Sequence, residues 1–338
     1  MVPVRYVIIG TGAVGGTIGG LLAADGHEVV LVARGRQLEA IRADGLEVWT
    51  HRGVHQVRPP VAAGPQELAL RRDDVLVLAV KSQDTAAALA DWADRPVDGG
   101  GTAAEDLVLV CAQNGVDNER AALRRFSRVL GMCVWLPSTY LEPGKVQAIG
   151  TPVAGVLPIG PAVTGSTTAR SDARAIAADL TSAGFRAPVV EDVMAWKWAK
   201  LLSNLANAVE ALCGTERDEA WRELAALAVE EGREVLAAAG VRPASPEEQD
   251  SGLAGFEMRA APGRTRGGGS SWQSLQRGSG SIETDWLNGE IVLLGALHGV
   301  ATPVNALLQR RARQALAAGR GAGTVPAADL LAALDAAS

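Results

Sequence analysis

Short, continuously apolar runs recur along the first half of the chain and alternate with stretches of helical periodicity. Five of these runs are predicted strands: 6–9, 28–33, 75–80, 107–112 and 128–134. Continuous apolarity is typical of strands buried on both faces of a parallel sheet that is covered by helices. Between the first two runs, the segment 14–24 is long enough for a crossover helix, and Asp25-Gly26 supplies its stop signal. Further short strands are expected within 147–158.

The pattern changes near Asp192 to long helical segments with no convincing strand among them. Three helices are predicted at 194–212, 218–239 and 282–298, and the last twenty residues predict a loop followed by a short helix. The sequence therefore predicts an α/β protein in which a Rossmann-like domain with a mostly parallel sheet, residues 1–191, precedes an all-helical domain, residues 192–338.

Composition narrows the class of partner. The 338 residues are 48% hydrophobic and carry a net charge of -6, which argues against a dedicated nucleic-acid binder. No apolar stretch reaches the roughly 18 residues that a membrane span needs, and the N-terminus lacks a secretory signal. Cys111, Cys133 and Cys213 lie in apolar runs without metal-ligand spacing, so buried reduced thiols, no metal site and a cytoplasmic compartment are expected.

A glycine-rich turn follows the first predicted strand and opens the first predicted helix: Gly10-Thr11-Gly12-Ala13-Val14-Gly15. In a βαβ unit this spacing is typical of dinucleotide binding. Gly10 allows the tight turn, Gly12 lets the backbone approach a pyrophosphate, and Gly15 permits close helix packing. The free N–H groups of the helix N-terminus complete the predicted phosphate site.

The end of the second strand predicts which dinucleotide is bound. An NAD site would usually place an acid here for the ribose hydroxyls, but the sequence continues with Arg34-Gly35-Arg36. Arg34, with Arg36 beside it, would instead pair with a 2′-phosphate, so NADPH is favoured over NADH. The alternative is that both arginines are solvated loop residues.

Polar residues also follow the third and fourth strands. Lys81 comes directly after one apolar run and Asn114 two residues after the end of the next, and ligands of open parallel sheets bind beyond the carboxyl ends of the strands. Both are candidate cofactor residues. Asn114-Gly115 would serve equally well as a turn dipeptide that tolerates positive φ.

The first helix after residue 192 carries polar residues in an apolar context. Lys200 and Asn204 are four apart and share a face, but Lys197 lies within about one helical position of the same line. Spacing does not choose between the lysines. A desolvated Lys could donate the proton that ketone reduction requires, whereas a surface Lys would pack its stem on apolar neighbours. Farther on, Glu283 opens the last long helix, either as a dipole complement or as a carboxylate that holds substrate or lysine.

Five motifs in order resemble the ketopantoate reductase (2-dehydropantoate 2-reductase) family, over residues 7 to about 307. They are the glycine turn, Val80-Lys81, Gln113-Asn114-Gly115, Trp198-x-Lys200-Leu201-x-x-Asn204, and Ser270-Ser271 ahead of Glu283-x-Asp285-x-x-Asn288-Gly289. The resemblance implies NADPH-dependent reduction of ketopantoate to pantoate, in the pathway to pantothenate and coenzyme A.

The resemblance also implies residue roles. Lys200, rather than Lys197, would be the general acid, and Glu283 would be the second essential group, orienting substrate or cofactor. The remaining implied roles are ribose and substrate binding by Asn114, cofactor binding by Lys81, and substrate binding by Asn204 and Ser271.

Two departures leave the substrate open. The family often has a second Asn where this chain has Ala208, preceded by Asn207, and another Asn where this chain has Gly268. Just before Gly268 the chain carries a basic tract, Arg259, Arg264 and Arg266, in which an arginine could bind the substrate carboxylate; a solvated loop is the alternative. Another 2-oxo acid, or a redox-sensing NADPH-binding protein without turnover, are the alternatives. The sequence also leaves a homodimer open: Trp286 and residues 293–297 would serve it or the core, and the core is favoured.

Overall fold

The computed structural model describes residues 4–259, 268–278 and 280–336. Contacts divide these residues into two compact units. The first unit holds the described residues up to Lys197 together with 245–259, and the second holds 198–244, 268–278 and 280–336. The predicted functional boundary between residues 191 and 192 stays a prediction.

The strands belong to the first unit. They are β1 Arg5–Ile9, β2 Glu28–Val32, β3 Leu46–Thr50, β4 Gly53–Val57, β5 Val61–Ala62, β6 Asp74–Leu78, β7 Val108–Cys111, β8 Arg128–Met132, β9 Ser138–Glu142, β10 Lys145–Ala148, β11 Gly150–Thr151, β12 Ile159–Pro161 and β13 Glu257–Met258. The helices are α1 Ala13–Ala24, α2 Gly35–Asp44, α3 Thr85–Ala93, α4 Ala103–Asp106, α5 Asp117–Leu123, α6 Thr167–Ser182, α7 Val193–Asn204, α8 Ala206–Cys213, α9 Glu219–Ala238, α10 Pro246–Leu253, α11 Ser270–Gln276, α12 Asn288–His298, α13 Pro303–Ala317 and α14 Ala327–Asp335.

A seven-stranded sheet in the order β12-β8-β7-β6-β1-β2-β5 forms the centre of the first unit. All neighbours pair in parallel except β12, which runs antiparallel to β8. Alternate residues of β1 enter two separate cores, Tyr6 and Ile8 on one face and Val7 and Ile9 on the other. Both faces are therefore buried, which explains the continuous apolar runs and confirms the predicted α/β class.

Helix α1 lies between two sheets. On one side an alanine Cβ at Gly19 would come within 2.8 Å of Ile8 Cγ1 in the large sheet, and on the other an alanine at Gly16 would come within 2.9 Å of Val146 Cγ1 in β10. Residues from Gly15 to Leu22 are all buried. The glycines of this helix thus allow it to pack closely on both sides.

A second, four-stranded sheet in the order β4-β3-β10-β9 was not predicted. Its edge strand β4 is mostly exposed and polar, and β3 pairs in parallel with β10 from much later in the chain. The strands expected within 147–158 are only partly present, since β10 ends at Ala148 and β11 has two residues. Strand β13, antiparallel to β11, also lies in the region predicted to be helical, and two residues are too few for a pattern to reveal.

Two predicted helices are each divided. The segment 194–212 is α7 and α8, separated at Leu205, whose carbonyl accepts a hydrogen bond from Asn288 Nδ2 at 3.1 Å. The segment 282–298 starts as a 3₁₀ turn at Glu283–Trp286 and continues as α12. The break at Leu205 is accompanied by a tertiary contact that periodicity does not contain.

A buried polar network organises the second unit around α13. The carboxylate of Glu231 accepts hydrogen bonds from Val304 N, Asn305 N and Asn305 Nδ2 at 2.7–2.9 Å. Asn305 Oδ1 in turn accepts one from Asn288 Nδ2 at 2.9 Å. An acid at a helix N-terminus satisfies the free N–H groups there, so Glu231 fixes where α13 begins.

Side-chain exposure corrects one expectation about packing. Leu293 and Leu297, which the sequence favours for the core, are 47% and 67% exposed. They are four residues apart and share the outer face of α12, whereas Ile291 and Leu294 lie on its buried face. A homodimer contact at these residues stays a prediction. None of the described helices has the length and apolarity needed to cross a membrane.

The three cysteines are thiols and form no disulfide. Cys111 and Cys133 are buried as predicted, whereas Cys213 is only partly buried. Burial raises the pKa of Cys213 to about 11, so it is almost entirely a thiol at neutral pH.

Candidate functional site

The glycine turn is anchored to the end of β2. Gly10 has a φ of +100°, and the N–H groups of Gly10 and Thr11 both donate to the Val32 carbonyl at 3.2 Å. The Thr11 hydroxyl donates to the same carbonyl at 2.9 Å. The positive φ requires glycine at position 10, and the three bonds to one oxygen fix the turn against the sheet.

The three glycines of the fingerprint have different surroundings. An alanine Cβ at Gly10 would lie 2.8 Å from Val80 N, and one at Gly15 would overlap the Gly10 carbonyl and lie 2.9 Å from Ala79 Cβ. At Gly12, by contrast, a Cβ would meet no heavy atom of the described chain within 4 Å. Gly10 and Gly15 are thus required by packing, and the space over Gly12 fits an approaching phosphate.

Helix α1 begins beside this open space. Gly12 is its N-cap and offers no side chain to the N–H groups of the first turn, which Ala13 and Val14 begin. Such N–H groups, with the positive end of the helix dipole, are suited to a pyrophosphate. The residues present therefore fit the predicted dinucleotide.

Gln37 is a part of this turn that sequence reasoning missed. Its Nε2 donates to the Thr11 carbonyl at 2.8 Å, and its Oε1 accepts from Gly144 N at 2.8 Å. It therefore joins the glycine turn to the turn between β9 and β10. A glutamine in an amphipathic helix carries no sequence signal for such a role.

Arg34 lies two residues beyond the carbonyl that anchors the glycine turn. Its guanidinium is 3.4 Å from Asp91 Oδ2, with side-chain exposures of 75% and 48%. An exposed pair of this kind contributes about 0–1 kcal/mol, so it would yield readily to a doubly charged phosphate. Arg36 is also exposed.

The ends of β6 and β7 come together beyond the sheet. The two strands pair in parallel with Leu78 opposite Cys111. Past their ends, Gln113 Nε2 donates to the Val80 carbonyl at 2.8 Å, and Ser82 Oγ donates to the Asn114 carbonyl at 3.5 Å. Lys81, the N-cap of a 3₁₀ turn, lies between these contacts and is half-buried.

Asn114 keeps one buried polar atom unsatisfied. Its carbonyl accepts from Asn118 Nδ2 at 2.9 Å, but its side-chain Oδ1 is buried and has no hydrogen-bond partner within the described part of the chain. Gly115 has a φ of +79°, so the turn role of this dipeptide is also present. A buried acceptor without a partner is costly in a folded protein, and here it suits a ligand donor.

Lys197 forms a buried ion pair in the first unit. Its Nζ donates to Glu119 Oε1 and, at 3.0 Å, to the Gln113 carbonyl. Burial raises the pKa of Glu119, and the neighbouring Lys197 charge opposes that rise. Sequence spacing left both lysines of α7 open, and it gave no sign of Glu119. The pairing distinguishes Lys197 from Lys200.

The other predicted residues lie in the second unit. Lys200 on α7 and Glu283 at the start of its 3₁₀ turn are half-buried. Asn204 Nδ2, at the end of α7, and Ser271 Oγ, on α11, are buried and lack hydrogen-bond partners among the described residues. These two are again polar atoms suited to a ligand.

The positions where the chain departs from the family pattern are packed. Ala208 is fully buried in α8, and a Cβ at Gly268 would lie 2.5 Å from Trp272 Cγ. Next to Gly268, Gly269 N donates to Glu210 Oε2 at 3.0 Å. Arg259 is exposed and pairs with Glu257 at 3.3 Å, whereas Arg264 and Arg266 lie outside the described residues. Within the described ranges no acid, His or Cys cluster could hold a metal ion.

Comparisons with known proteins cover both halves of the chain. The family described as Ketopantoate reductase PanE/ApbA matches residues 6–161, and the one described as Ketopantoate reductase PanE/ApbA C terminal matches 192–315. A 2-dehydropantoate 2-reductase of Archaeoglobus fulgidus is 31% identical over 90% of this chain and 95% of its own length.

Solved structures resemble the whole fold. A PanE/ApbA family ketopantoate reductase of Ralstonia eutropha is 28% identical with a TM-score of 0.75, covering 93% of this chain and 99% of that one. A D-mandelate dehydrogenase solved with NADH and anilino(oxo)acetate has a TM-score of 0.78 at 20% identity, with coverage of 93% and 99%. The second likeness concerns the fold alone.

Proposed function

Because the chain belongs to the ketopantoate reductase family, we propose that it reduces 2-dehydropantoate to pantoate with NADPH, a step toward pantothenate and coenzyme A. The observation that carries the proposal is the set of buried, unsatisfied polar atoms. Each of the three residues expected to bind substrate, Asn114, Asn204 and Ser271, has such an atom, as judged within the described chain; other described residues that have one include Gln83, Thr284 and Asn288. A buried polar atom without a partner is costly in a folded protein, and a polar 2-oxo acid would supply partners for those of Asn114, Asn204 and Ser271.

The first unit would hold the cofactor. The open backbone at Gly12 and the first turn of α1 would bind the pyrophosphate, and Lys81 would bind a phosphate or ribose. Arg34, which follows β2 where an NAD site would usually have an Asp or Glu, would exchange its exposed partner Asp91 for the 2′-phosphate that distinguishes NADPH. When bound, the reduced nicotinamide supplies the hydride for the substrate carbon.

The second unit would supply the proton and the substrate contacts. Lys200 would protonate the substrate carbonyl oxygen as general acid, a role for which it is favoured because Lys197 is committed to Glu119. Glu283 would orient the substrate or cofactor. Asn204 and Ser271 would donate or accept hydrogen bonds with the substrate's hydroxyl and carboxylate.

A second candidate is the reduction of a different 2-oxo acid by the same residues. The fully buried Ala208 favours it, because that helix position lacks the amide that the family often has there. Glu210 adds a carboxylate near Gly269, two residues before Ser271. A pocket with fewer amides and an added acid would select a different substrate tail.

Steady-state loss of NADPH absorbance tests both candidates. Purified protein would be assayed with ketopantoate and with a panel of 2-oxo acids that differ in side-chain size and charge. A kcat/KM for ketopantoate well above the others supports the first candidate, and a clear preference for another acid supports the second. NADPH binding without turnover of any acid would leave the sensor alternative.

A further inference from the structure

A buried pair of opposite charges lies behind the turn that carries Asn114. Glu119 on α5 and Lys197 on α7 are 1% and 2% exposed. Moving two charges out of water is costly, and apolar residues of the same volume are often at least as stable in such a place. Stability alone therefore gives no reason for the pair. Its contacts give one.

The contacts of Lys197 reach a single backbone carbonyl. Its Nζ donates to Glu119 and to the Gln113 carbonyl at 3.0 Å, which belongs to the peptide group joining Gln113 to Asn114. Glu119 thus orients the ammonium group, and the ammonium group fixes that peptide. A hydrogen bond from a charged donor is stronger and shorter than a neutral one.

The peptide on the other side of Asn114 is held as well. The Asn114 carbonyl accepts from Asn118 Nδ2 at 2.9 Å, and Asn118 Oδ1 accepts from the Thr85 hydroxyl at 2.7 Å. The side chain of Gln113 donates to Thr85 Oγ1 at 2.8 Å and so closes the network. With both peptide groups fixed, the direction of the Asn114 Cα–Cβ bond is set, which restricts where its unsatisfied Oδ1 is presented.

We propose that the Glu119–Lys197 pair is a positioning element, which fixes the peptide between Gln113 and Asn114 and thereby sets where the Asn114 amide meets the nicotinamide ribose and the substrate. The inference rests on the proposed function, which assigns those ligands to Asn114. Neither charged residue touches the reacting atoms in this scheme. Their effect passes entirely through Asn114.

A double variant tests the proposal without leaving a lone buried charge. Glu119→Gln combined with Lys197→Met removes both charges at nearly constant volume, whereas either change alone would strand its partner. We expect thermal stability close to that of the wild type. Affinity for NADPH and for NADH should both fall about 10-fold, and kcat about 10- to 100-fold, the scale of a misplacement near 1 Å.

The matched control removes another buried pair from the same unit. Arg5 and Asp74 face each other at the amino ends of β1 and β6, with side-chain exposures of 6% and 0%. Because ligands bind at the carboxyl ends of these strands, Arg5→Met with Asp74→Asn should keep wild-type affinities and kcat below its unfolding temperature. A structural role alone would make the two double variants alike.

A double-mutant cycle with Asn114→Ala locates the effect. If the pair acts through Asn114, its removal changes neither cofactor affinity nor kcat once the amide is gone. The proposal is overturned if the pair variant keeps wild-type affinities and kcat, or if its losses persist undiminished in the Asn114→Ala background. If the wild type binds NADPH but leaves ketopantoate unreduced, the substrate assignment fails while the affinity cycle still decides this inference. If it binds neither cofactor, both fail.

Discussion

Alanine substitutions at two glycines of the fingerprint should separate binding from folding. At Gly12 a methyl group would enter space that no described atom of the chain occupies, whereas at Gly15 it would overlap the Gly10 carbonyl and crowd Ala79 at 2.9 Å. Gly12→Ala should therefore leave the fold intact and weaken cofactor binding. Gly15→Ala should destabilise the fold itself.

The stability changes follow from the local geometry. At Gly15 the overlap involves backbone and should cost about 3 kcal/mol, from which better helix propensity returns about 1 kcal/mol. The net loss of about 2 kcal/mol would lower the melting temperature by about 3 °C, since unfolding 338 residues carries an entropy of about 0.7 kcal/mol/K. At Gly12, a poorer N-cap and a stiffer unfolded chain offset each other to within about 0.5 kcal/mol.

Cofactor affinity, unlike stability, should change at Gly12. A methyl group where the pyrophosphate approaches should lower the affinity of the Gly12→Ala variant for NADPH and for NADH by at least about 10-fold, equivalent to about 1.4 kcal/mol. Thermal unfolding followed by circular dichroism and cofactor titration followed by tryptophan fluorescence measure the two quantities. Unchanged affinities in Gly12→Ala would refute the assignment of that open space to the pyrophosphate.

Three further substitutions test single roles. Lys200→Ala should lower kcat by about two orders of magnitude with NADPH affinity retained, the scale of lost general acid catalysis; near-wild-type turnover would return the role to Lys197 or water. Arg34→Ala should weaken NADPH binding by about 10-fold and leave NADH binding unchanged, because only NADPH carries the 2′-phosphate. The fold should be unaffected, since the exposed pair of Arg34 with Asp91 contributes little to stability. Equal losses of affinity for the two cofactors, measured by titration, would exclude the phosphate role. Ser271→Ala should raise the substrate KM yet preserve or increase thermal stability by about 1 kcal/mol, because the removed hydroxyl is buried without a partner in the described chain; a loss of stability with unchanged KM would make it a structural residue.

The parallel sheet could be predicted because the residues that each strand requires are contiguous in the sequence. Strands such as β1 and β6 are buried at every position, and after the paired Arg5 and Asp74 at their first positions their residues are all apolar. The glycine turn is equally local, since a positive φ at Gly10 and close packing at Gly15 exclude other residues. These requirements are met within about ten residues and leave a direct trace in the sequence.

The rest depends on partners that are distant in sequence. Strand β4 is exposed and polar, and the order of its sheet depends on pairing with residues near 145. Glu119 and Gln37 are ordinary polar helix residues until Lys197 and Thr11 are placed beside them. Likewise, Lys197 and Lys200 share a helix line, and the contact of Lys197 is with a carboxylate 78 positions away. Spacing along one helix contains no such information.

The enclosure of α1 between two sheets has a thermodynamic consequence for its first turn. A helix that is buried from Gly15 to Leu22 exchanges its amide hydrogens only in large openings of the unit, so its backbone is ordered before any ligand arrives. An anion arriving at its N-terminus meets donors that lose little further freedom. Binding there should accordingly show a small entropic penalty, and the amide protection of α1 should hardly change when the site fills.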